Sequence, residues 1–236
     1  VKSKTQDGIN HYISPFNQLK ATWDYFINKK GVFCVGPLEG MAFFDLNQND
    51  GNVNFQLHFS PICIDDKYGY DAYDLYDFPR SDGFTILPTL LHPKSRGVVS
   101  LSSSNPNDIP IIQPNFFQRK EDLDQLVKGG RFVFKLMNDK ALKNHKLRDG
   151  LPLDRVSEDF LIEHIKKTLE TVYHPVGTCK MGNDSLAVVN PLLKVHGISN
   201  LRVVDASIMP KIISGNTNAC VYMIAEKAAY MILNKL

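Results

Sequence analysis

The stretch Tyr173-His174-Pro175-Val176-Gly177-Thr178-Cys179-Lys180-Met181-Gly182 decides how this chain is to be read, together with Leu201-Arg202-Val203-Val204-Asp205-Ala206-Ser207 and Ser214-Gly215-Asn216-Thr217-Asn218-Ala219. Histidine is the side chain whose ordinary pKa, about 6.5, suits it to take a proton near neutrality. Pro175 stiffens the backbone beside His174 and Gly177-Thr178 tightens it, which is the rigid setting a base needs to meet a hydroxyl. The pattern predicts a short strand from Asn200 to Val204 with Asp205 at its end. Ser214-Gly215-Asn216 then reads as a glycine turn with Asn216 as the N-cap of a helix from Thr217 to Leu236. The first backbone N–H groups of such a helix lack intrahelical partners and together carry roughly half a positive charge.

The 236 residues are enough for one large domain or two small ones, and 43% apolar content is ordinary for a packed core. Charge is balanced at +2, with no lysine or arginine block longer than a pair. The sequence therefore shows no electrostatic footprint for nucleic acid or anionic lipid, and favours small uncharged partners. The longest apolar tract, from Ala219 to Leu233, is interrupted by Glu226 and Lys227, which excludes a bilayer span of roughly 20 apolar residues. Cys34, Cys63, Cys179 and Cys220 are scattered without metal-ligand spacing or a disulfide framework, so no metal is expected. The chain begins Val1-Lys2-Ser3-Lys4 without an apolar signal core, as an excised segment would.

Toward the N-terminus, Phe16, Leu19, Trp23, Phe26 and Ile27 recur at three- and four-residue steps and predict an amphipathic helix over 16–30 with its apolar face in the core. Strands are predicted at Met41 to Phe44, at Val53 to Ser60, where alternation suggests a half-buried strand, at Phe84 to Leu91 and at Gly97 to Ser102. A turn over Asn105 to Pro110 closes the last of these. The acidic, tyrosine-rich run from Asp65 to Pro79 reads as a loop whose Tyr68, Tyr70, Tyr73 and Tyr76 could wall a substrate entrance. Helices are predicted from Lys120 to Asn138, with Glu121 and Asp122 favouring its N-terminal dipole, and after Ser157 as an N-cap. Arg96 reads as a structural ion-pair former.

The three C-terminal motifs resemble the signature of the glucose-methanol-choline (GMC) oxidoreductases, flavoenzymes that oxidise alcohols, and the resemblance extends from about Leu90 to the C-terminus. Gly36-Pro37-Leu38-Glu39-Gly40-Met41-Ala42-Phe43 is similar, more loosely, to insect glucose dehydrogenase-like members. Val189-Asn190-Pro191 departs from the Val-Asp-Pro common in the family. The resemblance implies that His174 is the base taking the substrate hydroxyl proton while hydride passes to flavin N5. It makes Asn216 the opposing hydrogen-bond partner of the substrate oxygen, since an amide donates but cannot accept a proton as a base does. It further implies that Asp205 and Ala206 contact the ribityl-pyrophosphate part of FAD. Thr217, Asn218 and Ala219 would turn the helix N-terminus toward the flavin, where its charge stabilises the reduced anion.

The expected fold is α+β: an antiparallel or mixed sheet substrate domain with flanking helices over 1–195, and over 196–236 a C-terminal strand and helix completing an FAD-binding α/β domain. The main part of that domain is absent, because no Gly-x-Gly-x-x-Gly turn occurs anywhere in the chain. The expected function is FAD-dependent oxidation of an alcohol or sugar CH–OH group, with an N-terminal FAD-binding half as the missing partner. Glucose, another polyol and an ecdysteroid all fit the motifs. The competing reading is a truncated or diverged GMC-like protein that binds or builds without catalysing. A hydrolase using Ser207 or Ser214 with His174 lacks the Gly-x-Ser-x-Gly elbow.

Overall fold

The computed structural model describes residue 3 and residues 8–47, 51–64, 74–143 and 156–235. Tyr68, Tyr70 and Tyr73 of the expected entrance lie outside the described residues; Tyr76 sits exposed on a 3-10 turn, Leu75–Asp77, capped by the Asp74 carboxylate. Two compact units are present, one formed by Val1–Leu90 with Leu123–Leu169, the other by Leu91–Asp122 with Glu170–Leu236. The division expected after residue 195 is not where the chain separates, because Val189 and Leu193 share one apolar cluster with Ile208, Ile224 and Met231.

The first unit holds α1 (Pro15–Phe26), a three-stranded antiparallel sheet of β1 (Gly40–Phe44), β2 (Phe55–Ser60) and β3 (Thr85–Leu90), most of α2 (Lys120–Met137), the short α3 (Lys140–Lys143) and α4 (Glu158–Thr168). β2 is central, pairing Leu57 with Ala42 on one side and with Pro88 on the other. Its alternation predicted one wet face. Instead Gln56, His58 and Ser60 are buried as well as Phe55 and Leu57. Leu57, Phe84 and Ile86 pack against Val133 of α2, with Phe44 and Phe132 rings 4.8 Å apart beside them. Gly129 makes that approach possible: a Cβ there would lie 2.7 Å from the Phe55 ring, which accounts for a helix-weakening residue inside α2. α4 begins as expected, with the Ser157 hydroxyl accepting the Phe160 N–H at 3.1 Å. Leu161 on its buried face joins Val127 and Val156.

Helix α1 forms where its periodicity put it, but its apolar side is not core. Ala21 is the buried residue of the helix, while Phe16, Leu19, Trp23, Phe26 and Ile27 are exposed.

The second unit contains the hairpin of β4 (Val98–Ser100) and β5 (Ile111–Gln113), paired Val99 to Ile112. Its turn is the expected one, closed by Asp108 N–H to Asn105 C=O at 3.1 Å. α5 (Asn218–Leu233) is the predicted last helix. The strand expected over Asn200 to Val204 is reduced to a bridge between Lys194 and Arg202, supported by Val195 N–H to Leu201 C=O and Val203 N–H to Leu193 C=O. A strand needs a neighbour along its length, and here it finds a loop.

Candidate active site

All three motifs belong to the second unit, and its apolar core gathers them. Val176, two residues after His174, packs against the same cluster as Val203 and Ala206 from the second motif and Cys220 and Val221 from the first turn of α5. Ile208, Met209 and Ile224 are its buried centre. Backbone hydrogen bonds fix the first motif on the second: Cys179 N–H donates to Ser207 C=O at 3.0 Å and Met181 N–H to Ile208 C=O at 2.8 Å.

His174 is half-buried between two unusual backbone positions. Tyr173 has φ +58, a left-handed conformation uncommon for a bulky residue, and its hydroxyl donates to Glu170 Oε2 at 2.8 Å. Gly177 has φ +91, and a Cβ there would come within 3.3 Å of Met209 C=O. Such left-handed positions cost roughly 1–3 kcal/mol in residues other than glycine and persist where the surroundings enforce them. Beyond this turn Lys180 Nζ donates to both Asp184 oxygens at 2.8 Å, holding the Asp184 carboxyl below the ordinary range.

Asp205 has a local duty of its own. Its Oδ1 accepts from Ser207 N–H at 2.8 Å and from Ser207 Oγ, capping the 3-10 turn Ala206–Ile208. Thr217, not Asn216, is the N-cap of α5; Thr217 is buried and makes no side-chain cap hydrogen bond. The hydrogen-bonded helix starts at Asn218, one residue later than expected, although Thr217 already has helical φ and ψ of −73 and −17. Asn216 is exposed, as are Asn218 and Ala219.

Two sets of contacts that sequence reasoning did not foresee organise the surroundings. His92 Nε2 is 2.8 Å from Ser214 Oγ, tying residues 91–96 to the turn that carries Asn216. Asp122, expected only to favour a helix dipole, is buried and accepts hydrogen bonds from Lys94 N–H at 2.7 Å, Ser95 N–H at 2.8 Å and Ser95 Oγ. Burial works to raise its carboxyl, but those donors and the nearby Arg96 charge outweigh it and leave the group below the ordinary aspartate range. Neither contact leaves a periodic signal, since each joins residues far apart in sequence. Arg96 donates to Pro93 and Ser95 carbonyls, which makes it a turn former. Among the described residues no group of three or more His, Cys, Asp or Glu side chains is assembled to hold a metal ion.

These features coincide with a family signature. The GMC oxidoreductase profile matches residues 93–225. Alcohol dehydrogenase (acceptor) of Pseudomonas putida is 37% identical over 237 residues, covering 100% of this chain and 42% of the relative. Oxygen-dependent choline dehydrogenase of Cronobacter sakazakii is 36% identical over 215 residues, covering 91% of this chain and 37% of the relative. Among solved structures, formate oxidase of Aspergillus oryzae RIB40, in a study of its FAD modification, superposes with TM-score 0.81 at 26% identity, covering 100% of this chain and 45% of that one. The chain belongs to the GMC oxidoreductase family. It spans about two fifths of the length of the curated relatives it matches.

Proposed function

We propose that this chain supplies the substrate side and the flavin-facing helix end of an FAD-dependent oxidoreductase acting on the CH–OH group of an alcohol or sugar. The observation that carries this reading is the convergence on one apolar core of Val176, two residues after His174, of Ala206, next to Asp205, and of Cys220 and Val221 from the first turn of α5. α5 suits a flavin edge. Its first turn has no acidic residue, and Asn218 and Ala219 are exposed there, so its partial positive charge can face an anionic group. Asp205 and Ala206, on the adjoining turn, are the candidates for the ribityl-pyrophosphate contact. The dinucleotide turn that would receive the adenosine end is not among these residues.

FAD, when bound, would supply the two-electron acceptor that receives hydride at N5. His174 takes the hydroxyl proton of the substrate. Its backbone is held by Pro175 and by the Gly177 turn, so the ring is set in place without waiting for substrate to order it. Asn216 donates its amide N–H to the substrate oxygen, which favours the alkoxide as the proton leaves. The alcohol loses a proton to His174 and a hydride from its carbinol carbon, giving the carbonyl product. The insect glucose dehydrogenase-like affinity rests on the residues 36–43 segment, and a sugar or steroid alcohol is the finer substrate it suggests. Anaerobic mixing of the complete flavoenzyme with primary alcohols, glucose and a steroid alcohol tests the reading. Bleaching of the oxidised flavin absorbance by at least one of these alcohols is expected, and failure of all of them to bleach it would refute the activity.

A further inference from the structure

His92 stands on a segment whose shape is fixed from several directions. Leu91 before it is buried, and after it the Asp122 carboxylate accepts Lys94 N–H at 2.7 Å and Ser95 N–H at 2.8 Å. Ser95 Oγ donates to the same carboxylate and accepts Arg119 N–H at 3.1 Å, while Arg96 closes on the Pro93 and Ser95 carbonyls. Asn115 adds a bond from Nδ2 to Arg96 C=O at 3.1 Å. From this platform the His92 ring reaches Ser214 Oγ at 2.8 Å, across 122 residues of sequence. A hydroxyl both donates and accepts, so the bond forms with either tautomer of the ring.

Ser214 sits in irregular backbone. Residues 210–216 belong to no helix or strand, between Met209 and Thr217, which are both buried. Gly215 joins Ser214 to Asn216, and nothing lies within 4 Å of where its Cβ would be, so packing does not wedge that link. Glycine also has the most backbone freedom to lose on ordering. A hold at Ser214 therefore acts two residues from Asn216, at most roughly 7 Å along the chain.

We propose that His92 is a positioning residue for the reaction: through Ser214 it sets where Asn216 offers its amide N–H to the substrate oxygen. The proposal rests on the role given to Asn216 in alcohol oxidation. A donor that matters most as the alkoxide forms shows in the limiting rate more than in alcohol binding, and it loses worth when displaced. One neutral hydrogen bond sustains at most about a tenfold effect.

The complete flavoenzyme is reduced anaerobically by an alcohol that bleaches the wild-type flavin. His92→Leu and Ser214→Ala should each keep bound FAD, lower the limiting reduction rate by up to about tenfold, and change the apparent Kd of the alcohol by less than about threefold. His92→Gln, whose amide lies as many bonds from Cα as Nε2 does, should recover most of the loss. In an Asn216→Ala background His92→Leu should cost nothing further, since the group it positions is gone; in a His174→Ala background its cost should persist. Hydrogen exchange over residues 210–217 should quicken in His92→Leu, a readout independent of turnover. A wild type whose flavin no alcohol reduces would overturn the activity on which the proposal rests. With an active wild type, the proposal alone is overturned by any of four results: both variants reduce flavin within about twofold of wild type, His92→Gln is as slow as His92→Leu, His92→Leu slows the Asn216→Ala enzyme as much as it slows the wild type, or exchange over 210–217 is unchanged.

Discussion

Replacing Asp122 by Ala removes the carboxylate that organises residues 93–96. Three bonds are lost, from Lys94 N–H, Ser95 N–H and Ser95 Oγ. Hydrogen bonds to a charged acceptor contribute roughly 1.5–3 kcal/mol each, but desolvation of a carboxylate only 5% exposed opposes them. Water reaches part of the vacated loop, so the net loss is expected at about 3 kcal/mol, and at about 1–2 kcal/mol for Asp122→Asn, which keeps one acceptor oxygen. At a urea slope of roughly 2 kcal/mol/M the alanine midpoint falls by about 1.5 M near neutrality. The pH dependence has a definite sign. A carboxyl depressed in the folded state stabilises fully above its unfolded pKa, about 3.9, and that stabilisation is lost as pH falls through the folded value. The two unfolding curves should therefore converge below about pH 4. A midpoint shift under about 0.3 M near neutrality, or a gap that widens toward acid, would refute the role given to Asp122.

Gly177→Ala should lower stability by about 1–2 kcal/mol, because φ is +91 and the added Cβ meets Met209 C=O, and should slow flavin reduction further by displacing His174. Melting and anaerobic reduction measured together check it, and a variant as stable as wild type contradicts it. Asn216→Asp places a negative charge beside the forming alkoxide at an exposed position outside α5, so reduction should slow with little change in melting; equal rates would remove Asn216 from the mechanism. The 236 residues purified alone should be colourless, since no glycine-rich turn receives the adenosine end, and a stoichiometric yellow complex would overturn this.

Element positions were legible wherever periodicity was strong. α2 and α4 begin within a residue of where Lys120 and the Ser157 cap put them, and β3 occupies the predicted run. Periodicity does not say which way a face points, and for α1 the apolar side turned outward while Ala21 turned in. Nor does alternation count neighbours: β2 looked half-buried from its own residues, and its place between β1 and β3 buried Gln56 and His58 too. In the site, the motif residues were legible because glycine, proline and a helix start stand close together in sequence. The supports were not, since His92 to Ser214 and Asp122 to Ser95 join separate segments and carry no local pattern.

The most direct test of the central claim is anaerobic stopped-flow reduction of the complete His174→Ala flavoenzyme by alcohol at saturating substrate. A positioned base contributes roughly 10²–10⁴-fold, so the variant should retain bound FAD and reduce it at least about a hundredfold more slowly than wild type. Reduction within a few-fold of wild type would make His174 a structural histidine and contradict the account.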